Sequence, residues 1–336
     1  MKYIYIINGR ADKAPHYQDF FQQLKDNPHP HEVYTTLGEG DATRYVRLYC
    51  DLHPDEEVCF VACGGNGIIN GVASGLVGYA FSNYESNYES RNSDIERQNS
   101  EPQKKDYTDL ANYCDKKTIA ILYFGGATED FIINFPGRNF RSVKDMLDGT
   151  ISFTDIIQVN DSYCLNVCNL GFNSKVASRA NELVAAGKSA HVAYTRGVIN
   201  AFLTSRFNRI KIVVDGERIA RGPMVLCTVA NGQRVGGEFN CAPNAKVDDG
   251  LMDVCYFRAM SLLRLLMLFP LYRSGHHIGS RLGKRKILYR QAREVVISSK
   301  DLIDIYLDGE QLPGSKFHLR ILPGALPLRL PKMSTQ

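Results

Sequence analysis

The sequence predicts an α/β domain with a largely parallel sheet, followed by an antiparallel β domain. Three observations support this. Apolar strand-like runs alternate with amphipathic helical runs through about residue 80 and resume at 118–124, the pattern of βαβ units. A strand-like run at 57–62 leads into three glycines within four positions, Gly64, Gly65 and Gly67, and then into helical spacing at 68–77. After about residue 148, short alternating segments separated by turn residues take over, the texture of antiparallel sheets. The domains are therefore drawn at 1–147 and 148–332, with the chain's end free to return toward the first domain.

Taken in order, 3–7 reads as the first strand and ends at Asn8-Gly9. A helix over about 15–26 puts Tyr17, Phe20, Phe21 and Leu24 on one face. A strand at 32–36 ends in Thr36 and passes through a glycine turn to a helix over 41–52. The run at 57–62 is rich in β-branched and aromatic residues, as buried strands are. In the loop after it, glycine lets backbone N–H groups turn outward and lets a phosphate approach without meeting a Cβ. The following helix points its positive dipole end at the same place. The same glycines also suit a loop that only joins a strand to a helix.

From 81 to about 117 the chain is polar, repeats Asn-Tyr-Glu-Ser at 83–86 and 87–90, and has few aliphatics before Leu110. That composition predicts a mobile insertion. The strand at 118–124 then ends in a polar turn through Gly126, Ala127, Thr128, Glu129 and Asp130. In open α/β sheets, turns at the carboxyl ends of strands line the ligand crevice. Asn8, Thr36, the 64–67 loop and 126–130 are expected to meet there. In the second half, strand-like segments recur from 151–159 to 316–322, with helical interludes near 174–204 and 260–272.

A chain of 336 residues accommodates about two domains. Hydrophobic residues at 44% and charged residues at 23% are ordinary for a globular protein. A net charge of +4 is mildly basic; it suits nucleotide phosphates or an anionic membrane surface and is too slight to indicate nucleic acid. Nine cysteines are scattered without a CxxC pair, mostly inside apolar runs, which points to buried thiols rather than disulfides or zinc. The first residues lack the features of a signal peptide, and no run reaches the ~18 apolar residues of a transmembrane helix. A soluble, cytoplasmic protein with peripheral membrane association is expected.

Three later stretches carry chemistry. Asp248, Asp249 and Asp253 cluster beside Gly250, where oxygen ligands and turn carbonyls could hold a divalent cation or form an ordinary turn. Asp308-Gly309-Glu310 reads either as a hairpin turn or as a platform for a general base, and Asp215-Gly216-Glu217 repeats it after a similar strand. The apolar run 260–272 precedes Arg273, His276, His277, Arg281, Lys284, Arg285 and Lys286. It suits a core helix with solvated flanks or docking on an anionic bilayer.

Together these pieces resemble the diacylglycerol-kinase catalytic family, which includes bacterial lipid kinases and sphingosine and ceramide kinases. The family's Gly-Gly-Asp-Gly-Thr is similar to Gly64-Gly65-Asn66-Gly67-Ile68, its early Asn turn to Asn8, and its Thr before Gly-Asp-Ala to Thr36 before Gly40-Asp41-Ala42. Its Gly-Thr-x-Asn-Asp-Phe turn falls on 126–131, and further matches are 229–232, 242–245, 248–253, 308–310 and 322–326. The resemblance covers nearly the whole chain outside 81–117.

The resemblance implies a three-layer α/β domain, a C-terminal β-sandwich, and ATP between them. By position, Asn8, Thr36, Gly64, Gly65, Asn66, Gly67, Ile68, Ile69, Asn70, Gly126 and Thr128 would hold the nucleotide. Glu310 would be the general base toward the lipid hydroxyl, with Asp130 in the same polar network. Mg²⁺ would be held by Asp249 with the carbonyls of Lys246 and Leu251. The partners implied are a membrane lipid substrate and an anionic membrane surface, with room for a homodimer and no nucleic acid.

Four positions depart from the family pattern: Asn66 for Asp, Ile68 for Thr, Ala127 for Thr and Glu129 for Asn. All lie on the nucleotide side. They open the alternative of a catalytically weak or inactive relative that binds nucleotide or lipid as a sensor or partner.

Overall fold

Alternation of strand and helix in the first third builds a parallel sheet. In the computed structural model, which describes residues 1–9, 16–97, 105–114, 116–123, 129–171 and 209–333, β1 (Lys2–Ile7) pairs in parallel with β2 (His31–Thr35) and β3 (Val58–Cys63). Strand β4 (Lys117–Leu122) extends the sheet beyond β3. Leu328 and Arg329 of β15 (Glu310–Leu330) then pair in parallel with Ile119 and Ala120. Every residue of β3 and β4 is buried, whereas β2 is largely exposed and forms the edge. That contrast explains why the inner strands read as unbroken apolar runs.

Helices α1 (Tyr17–Lys25), α2 (Asp41–Leu52), α3 (Asn66–Arg97) and α4 (Val143–Leu147) follow β1, β2, β3 and β4. Helix α1 buries Phe20 and Leu24. Helices α2 and α3 approach backbone to backbone. A Cβ on Gly75 would lie 2.7 Å from the Thr43 carbonyl oxygen and 2.8 Å from Val46 Cβ. The hydroxyl of Thr43 donates to the Gly71 carbonyl at 2.9 Å.

The polar stretch from 81, expected as a mobile insertion, instead continues α3 to Arg97. The tandem repeat has a period of four, so equivalent residues share one helix face. Tyr84 and Tyr88 stack at 6.2 Å, and Tyr84 packs on Tyr107 and Tyr113 at 5.2 and 5.5 Å. The Asp106 N–H donates to the Tyr84 hydroxyl at 3.0 Å. Ser82, Ser86 and Ser90 return hydrogen bonds to carbonyls four residues back, so the polar residues serve the helix. Aromatic packing supplies the burial that the missing aliphatics do not.

The second half is antiparallel: β5 (Thr150–Val159) pairs with β6 (Ser162–Cys164), and β10 (Arg234–Val235) with β11 (Phe239–Asn240). β12 (Met252–Arg258) pairs with β13 (Ile287–Ala292) and β9 (Glu217–Ala230), and β9 with β7 (Val167–Gly171). β14 (Glu294–Leu307) pairs with β7 and with residues 310–320 of β15, while β8 (Arg209–Val214) bridges β14 and β9. Side chains alternate along β8: Ile210, Ile212 and Val214 are buried among residues such as Ile297, Phe317 and Leu319. The helix expected at 260–272 is α5 (Leu262–Ser274), capped by Ser261, whose hydroxyl accepts from the Arg264 N–H at 3.4 Å. It buries Leu265, Leu268 and Tyr272. The helical interlude expected near 174–204 lies outside the described residues.

The chain divides into two units: Met1–Ile156 with Val247–Gly250 and Leu322–Gln336, and Ile157–Lys246 with Leu251–Ile321. The division differs from a single cut at 147/148. The first unit claims the end of β15 through its pairing with β4. All nine cysteines are free and buried. Burial pushes the thiol of Cys59 up to about 11 and those of Cys50 and Cys227 up to about 12, so they behave as core residues. Among the described residues no helix is long and apolar enough to cross a membrane.

Candidate functional site

In the first unit, the carboxyl ends of β1, β2 and β3 gather the residues singled out in sequence. The Gly9 N–H donates to Thr36 Oγ1 at 3.3 Å, and the Thr36 N–H donates to the Ile7 carbonyl at 2.9 Å. A Cβ on Gly9 would stand 2.4 Å from the Thr36 carbonyl oxygen. Only glycine allows β1 and β2 to end this close. Thr36 is buried, and Asn8 is exposed with its Cβ 3.9 Å from the position a Gly64 Cβ would take.

The glycines of the loop divide by role. Gly64 has φ +153°, and a side chain there would meet Ile68 Cγ2 at 2.7 Å. Among the described residues, a Cβ on Gly65 or Gly67 would meet nothing within 4 Å. Gly64 therefore serves the fold, while Gly65 and Gly67 keep open space in front of the amino terminus of α3. That helix starts at Asn66 and carries no acidic residue in its first turn. The N–H groups and the dipole of a helix's amino terminus favour anions. Ile68, Ile69 and Asn70 are buried, so the Ile68 side chain packs behind the loop where the family pattern has a hydroxyl.

Asn66 does more than fill the loop. Its Nδ2 donates to Asp130 Oδ2 at 2.9 Å, and Asp130 is buried. Glu129 turns away to Arg141, at 2.8 Å, while the Arg141 guanidinium sits 5.8 Å from the Tyr123 ring. Gly126, Ala127 and Thr128 lie outside the described residues.

The sequence reading gave Asp41 no role of its own. It is buried, and its carboxylate accepts from the Leu37 N–H at 2.9 Å, the Tyr34 hydroxyl at 2.9 Å and Arg44 at 2.6 Å. The Leu37 N–H first, then Tyr34 and Arg44, hold its carboxyl below the usual range. Asp41 thus fixes the segment that carries Thr36. Its sequence signal was an acid at the start of a helix directly after a glycine turn.

The three carboxylates expected to cluster near 250 do not act together. Asp253 is fully buried on β12 and accepts a hydrogen bond from the Tyr289 hydroxyl. Asp248 and Asp249 are exposed beside Gly250, whose φ is +70°. Their companion in the first unit is Asp155, which is buried and accepts from the N–H groups of Gly250 at 2.7 Å and Gly324 at 2.6 Å. Burial raises its pKa, and the charges of Asp249 and Asp248 raise it further against the two N–H donors. An aspartate inside the apolar run 151–159 was the missed signal. Among the described residues no three His, Cys, Asp or Glu side chains could together hold a metal.

In the second unit, both Asp-Gly-Glu tripeptides are two-residue hairpin turns. Asp308 (φ +50°) and Gly309 (φ +102°) join β14 to β15, and Asp215 (φ +45°) and Gly216 (φ +83°) join β8 to β9. Positive φ at both central positions matches strand twist and favours Asp-Gly. The Asp308 carboxylate also accepts from the N–H groups of Leu165 at 2.7 Å, Asn166 at 3.2 Å and Val167 at 2.9 Å. Burial nevertheless leaves its pKa raised. Asn231 reinforces the same segment, its Nδ2 donating to the Leu165 carbonyl at 2.9 Å. Glu310 leaves this clamped hairpin exposed to solvent.

The chain is similar to known proteins over most of its length. Residues 166–330 match the family model described as "YegS C-terminal NAD kinase beta sandwich-like domain". A "probable lipid kinase YegS-like" of Enterobacter sp. is 26% identical over 97% of this chain and 95% of its own length. A "probable lipid kinase YegS" of Escherichia coli is 25% identical over 97% and 95%. A crystal structure of a diacylglycerol kinase from Bacillus anthracis str. Sterne shares the fold, with a TM-score of 0.62 at 19% identity, covering 98% of this chain and 96% of that one.

Proposed function

We propose that the chain is an ATP-dependent kinase for the hydroxyl of diacylglycerol or a related membrane lipid, a reading supported by its likeness to probable lipid kinases over 97% of its length. The observation that carries this reading is the open cradle at the start of α3. Gly65 and Gly67 leave room where a nucleotide phosphate would sit, against the N–H groups of a helix end. Asn8 and Thr36 border the cradle, Asn66 to Asn70 form it, and Gly126 and Thr128 would complete it by position.

Phosphoryl transfer rests on positioning and charge neutralisation more than on covalent chemistry of the protein. Glu310 would accept the proton of the lipid hydroxyl as it attacks, its position set by the Asp308 clamp. Asp130 would orient polar groups beside the phosphates through Asn66. Mg²⁺ would neutralise phosphate charge, and a further Mg²⁺ would be held by Asp249 with the carbonyls of Lys246 and Leu251. For access to lipid, α5 offers Leu263 and Met267, 68% and 44% exposed. The Lys284–Arg285 loop is tied to α5 by Arg264, whose Nε donates to the Leu282 carbonyl at 2.8 Å. Apolar residues beside cations suit an anionic bilayer.

A second reading is favoured by the Asn66–Asp130 contact: a weak or inactive relative that binds nucleotide or lipid as a sensor. An amide in place of a carboxylate removes a negative charge from the side where Mg²⁺·ATP would bind.

Purified protein with ATP, Mg²⁺ and mixed lipid micelles should yield a phospholipid. Glu310→Gln should reduce the rate by about two to four orders of magnitude. No product over a broad lipid panel, with ATP·Mg²⁺ still bound in calorimetry, would reject the kinase reading in favour of the sensor. Absence of product, of nucleotide binding and of lipid binding would reject both.

A further inference from the structure

The outward face of the β8–β9 hairpin carries a cluster of cations outside the proposed nucleotide site. On β8, Ile210 and Ile212 point into the core, so Arg209 and Lys211 point out together. Lys211 stands directly opposite Arg221 of β9 and, on its other side, opposite Ser298 of β14. Like charges at directly opposed positions of an antiparallel pair are destabilising. Around this pair, Arg209, Arg218, Lys300 and Asp301 line a cavity of about 880 Å³. Five cations therefore face one carboxylate.

Local pairing does not relieve the repulsion. Among the described residues, none of the five cations makes an ion pair. A solvated basic face would let long side chains spread apart on a convex surface. Here they converge on a concavity whose volume falls in the range of small-molecule sites. Arg218 and Arg221 also line an adjoining cavity of about 320 Å³ with Arg258.

We propose that this cavity is a binding site for an anionic, phosphate-bearing ligand, held chiefly by Lys211 and Arg221. The site lies within the second unit and shares no residue with the proposed nucleotide cradle or with Glu310, so it stands or falls independently of the kinase reading. Two sources offer the chemistry, a free phosphate compound and an anionic lipid headgroup. A phosphate bridging Lys211 and Arg221 turns the repulsive pair into two charge-assisted contacts.

The test titrates the full chain with inorganic pyrophosphate, and separately with vesicles of phosphatidylglycerol in phosphatidylcholine, in the presence of saturating ADP. The double variant Lys211→Ser/Arg221→Ser is compared with a charge-matched control, Lys25→Ser/Lys144→Ser. The pocket variant should weaken binding by about tenfold or more while the control stays within about twofold. Its melting temperature should equal or exceed that of the wild type, because the opposed like charges are gone. Pyrophosphate binding lost in the pocket variant identifies a soluble phosphate as the ligand source. Vesicle binding lost in that variant, with no pyrophosphate bound by the wild type, identifies a headgroup. Equal losses in both variants, no loss in the pocket variant, or no binding of either probe to the wild type overturns the proposal.

Discussion

The side-chain amide of Asn66 donates to the buried carboxylate of Asp130 across 2.9 Å, although 64 positions separate them in sequence. The contact ties the first residue of α3 to the turn beyond β4. It also gives the Asn66 departure a structural meaning, since an amide can donate to Asp130 and a carboxylate cannot.

Replacing Asn66 with Asp would set two carboxylates at hydrogen-bond distance. In EDTA at neutral pH, Asn66→Asp should lower stability by about 1–3 kcal/mol. Millimolar Mg²⁺ should recover most of that loss while changing the wild type little, because a cation bound only by the native state stabilises it. Urea unfolding of both proteins with and without Mg²⁺ provides the measurement. Equal responses to Mg²⁺ would show that the two carboxylates form no cation site.

The two Asp-Gly turns should respond unequally to loss of the aspartate. Asp308 accepts from three backbone N–H groups of 165–167, whereas Asp215 accepts from those of Arg293 and Glu294 on an exposed hairpin. Asp308→Ala should cost about 3–4 kcal/mol and Asp215→Ala about 1 kcal/mol, because buried donors without partners carry the full desolvation penalty. Denaturation midpoints at constant m-value give the comparison. Similar losses in both variants would remove the clamp from the account of Glu310.

Gly64 and Ile68 should couple. The Cβ of Gly64→Ala would meet Ile68 Cγ2 at 2.7 Å. Gly64→Ala alone should therefore destabilise by roughly 1–3 kcal/mol. Combined with Ile68→Ala, the total loss should fall short of the sum of the single losses by about 0.5 kcal/mol or more. Strict additivity in the double-mutant cycle would mean that the loop yields elsewhere.

Acid sensitivity should trace in part to His277. This residue is fully buried, stacked on Phe257 and edge-on to Tyr272, with Nε2 3.6 Å from Cys255 Sγ. Burial depresses its pKa to about 4. Its unfolded value is about 6.5, so between these values the unfolded chain binds the proton that the native state refuses. Stability from this residue is full above about pH 6.5 and is lost as pH falls toward 4, by about 3 kcal/mol in all. His277→Phe should flatten the stability profile across that window. An unchanged slope would place the acid sensitivity elsewhere.

Much of the fold was legible because burial writes itself into sequence. β3 and β4 are buried throughout and read as apolar runs; β8 alternates because one face meets the core. The stretch from 81 misled because composition was weighed without period. Counting few aliphatics overlooked that Phe81, Tyr84 and Tyr107 pack ring on ring, with Tyr84 and Tyr88 one helical turn apart. In the site, glycines signalled an open loop, but which of them were open depended on Ile68 and Thr36.

By itself, the sequence determined the order of elements, the glycine loop before α3, the Asp-Gly turns and the resemblance they carry to a known family. Each of these is local: a period, a turn residue or a motif is read within a few positions. Tertiary structure alone decided that Asn66 meets Asp130, that Asp155 rather than Asp253 stands with Asp248 and Asp249, that Asp308 clamps 165–167, and that Lys211 opposes Arg221. These depend on register and on backbone N–H groups presented by distant strands. Every residue contributes such groups whatever its side chain, so the sequence leaves no mark of where they converge.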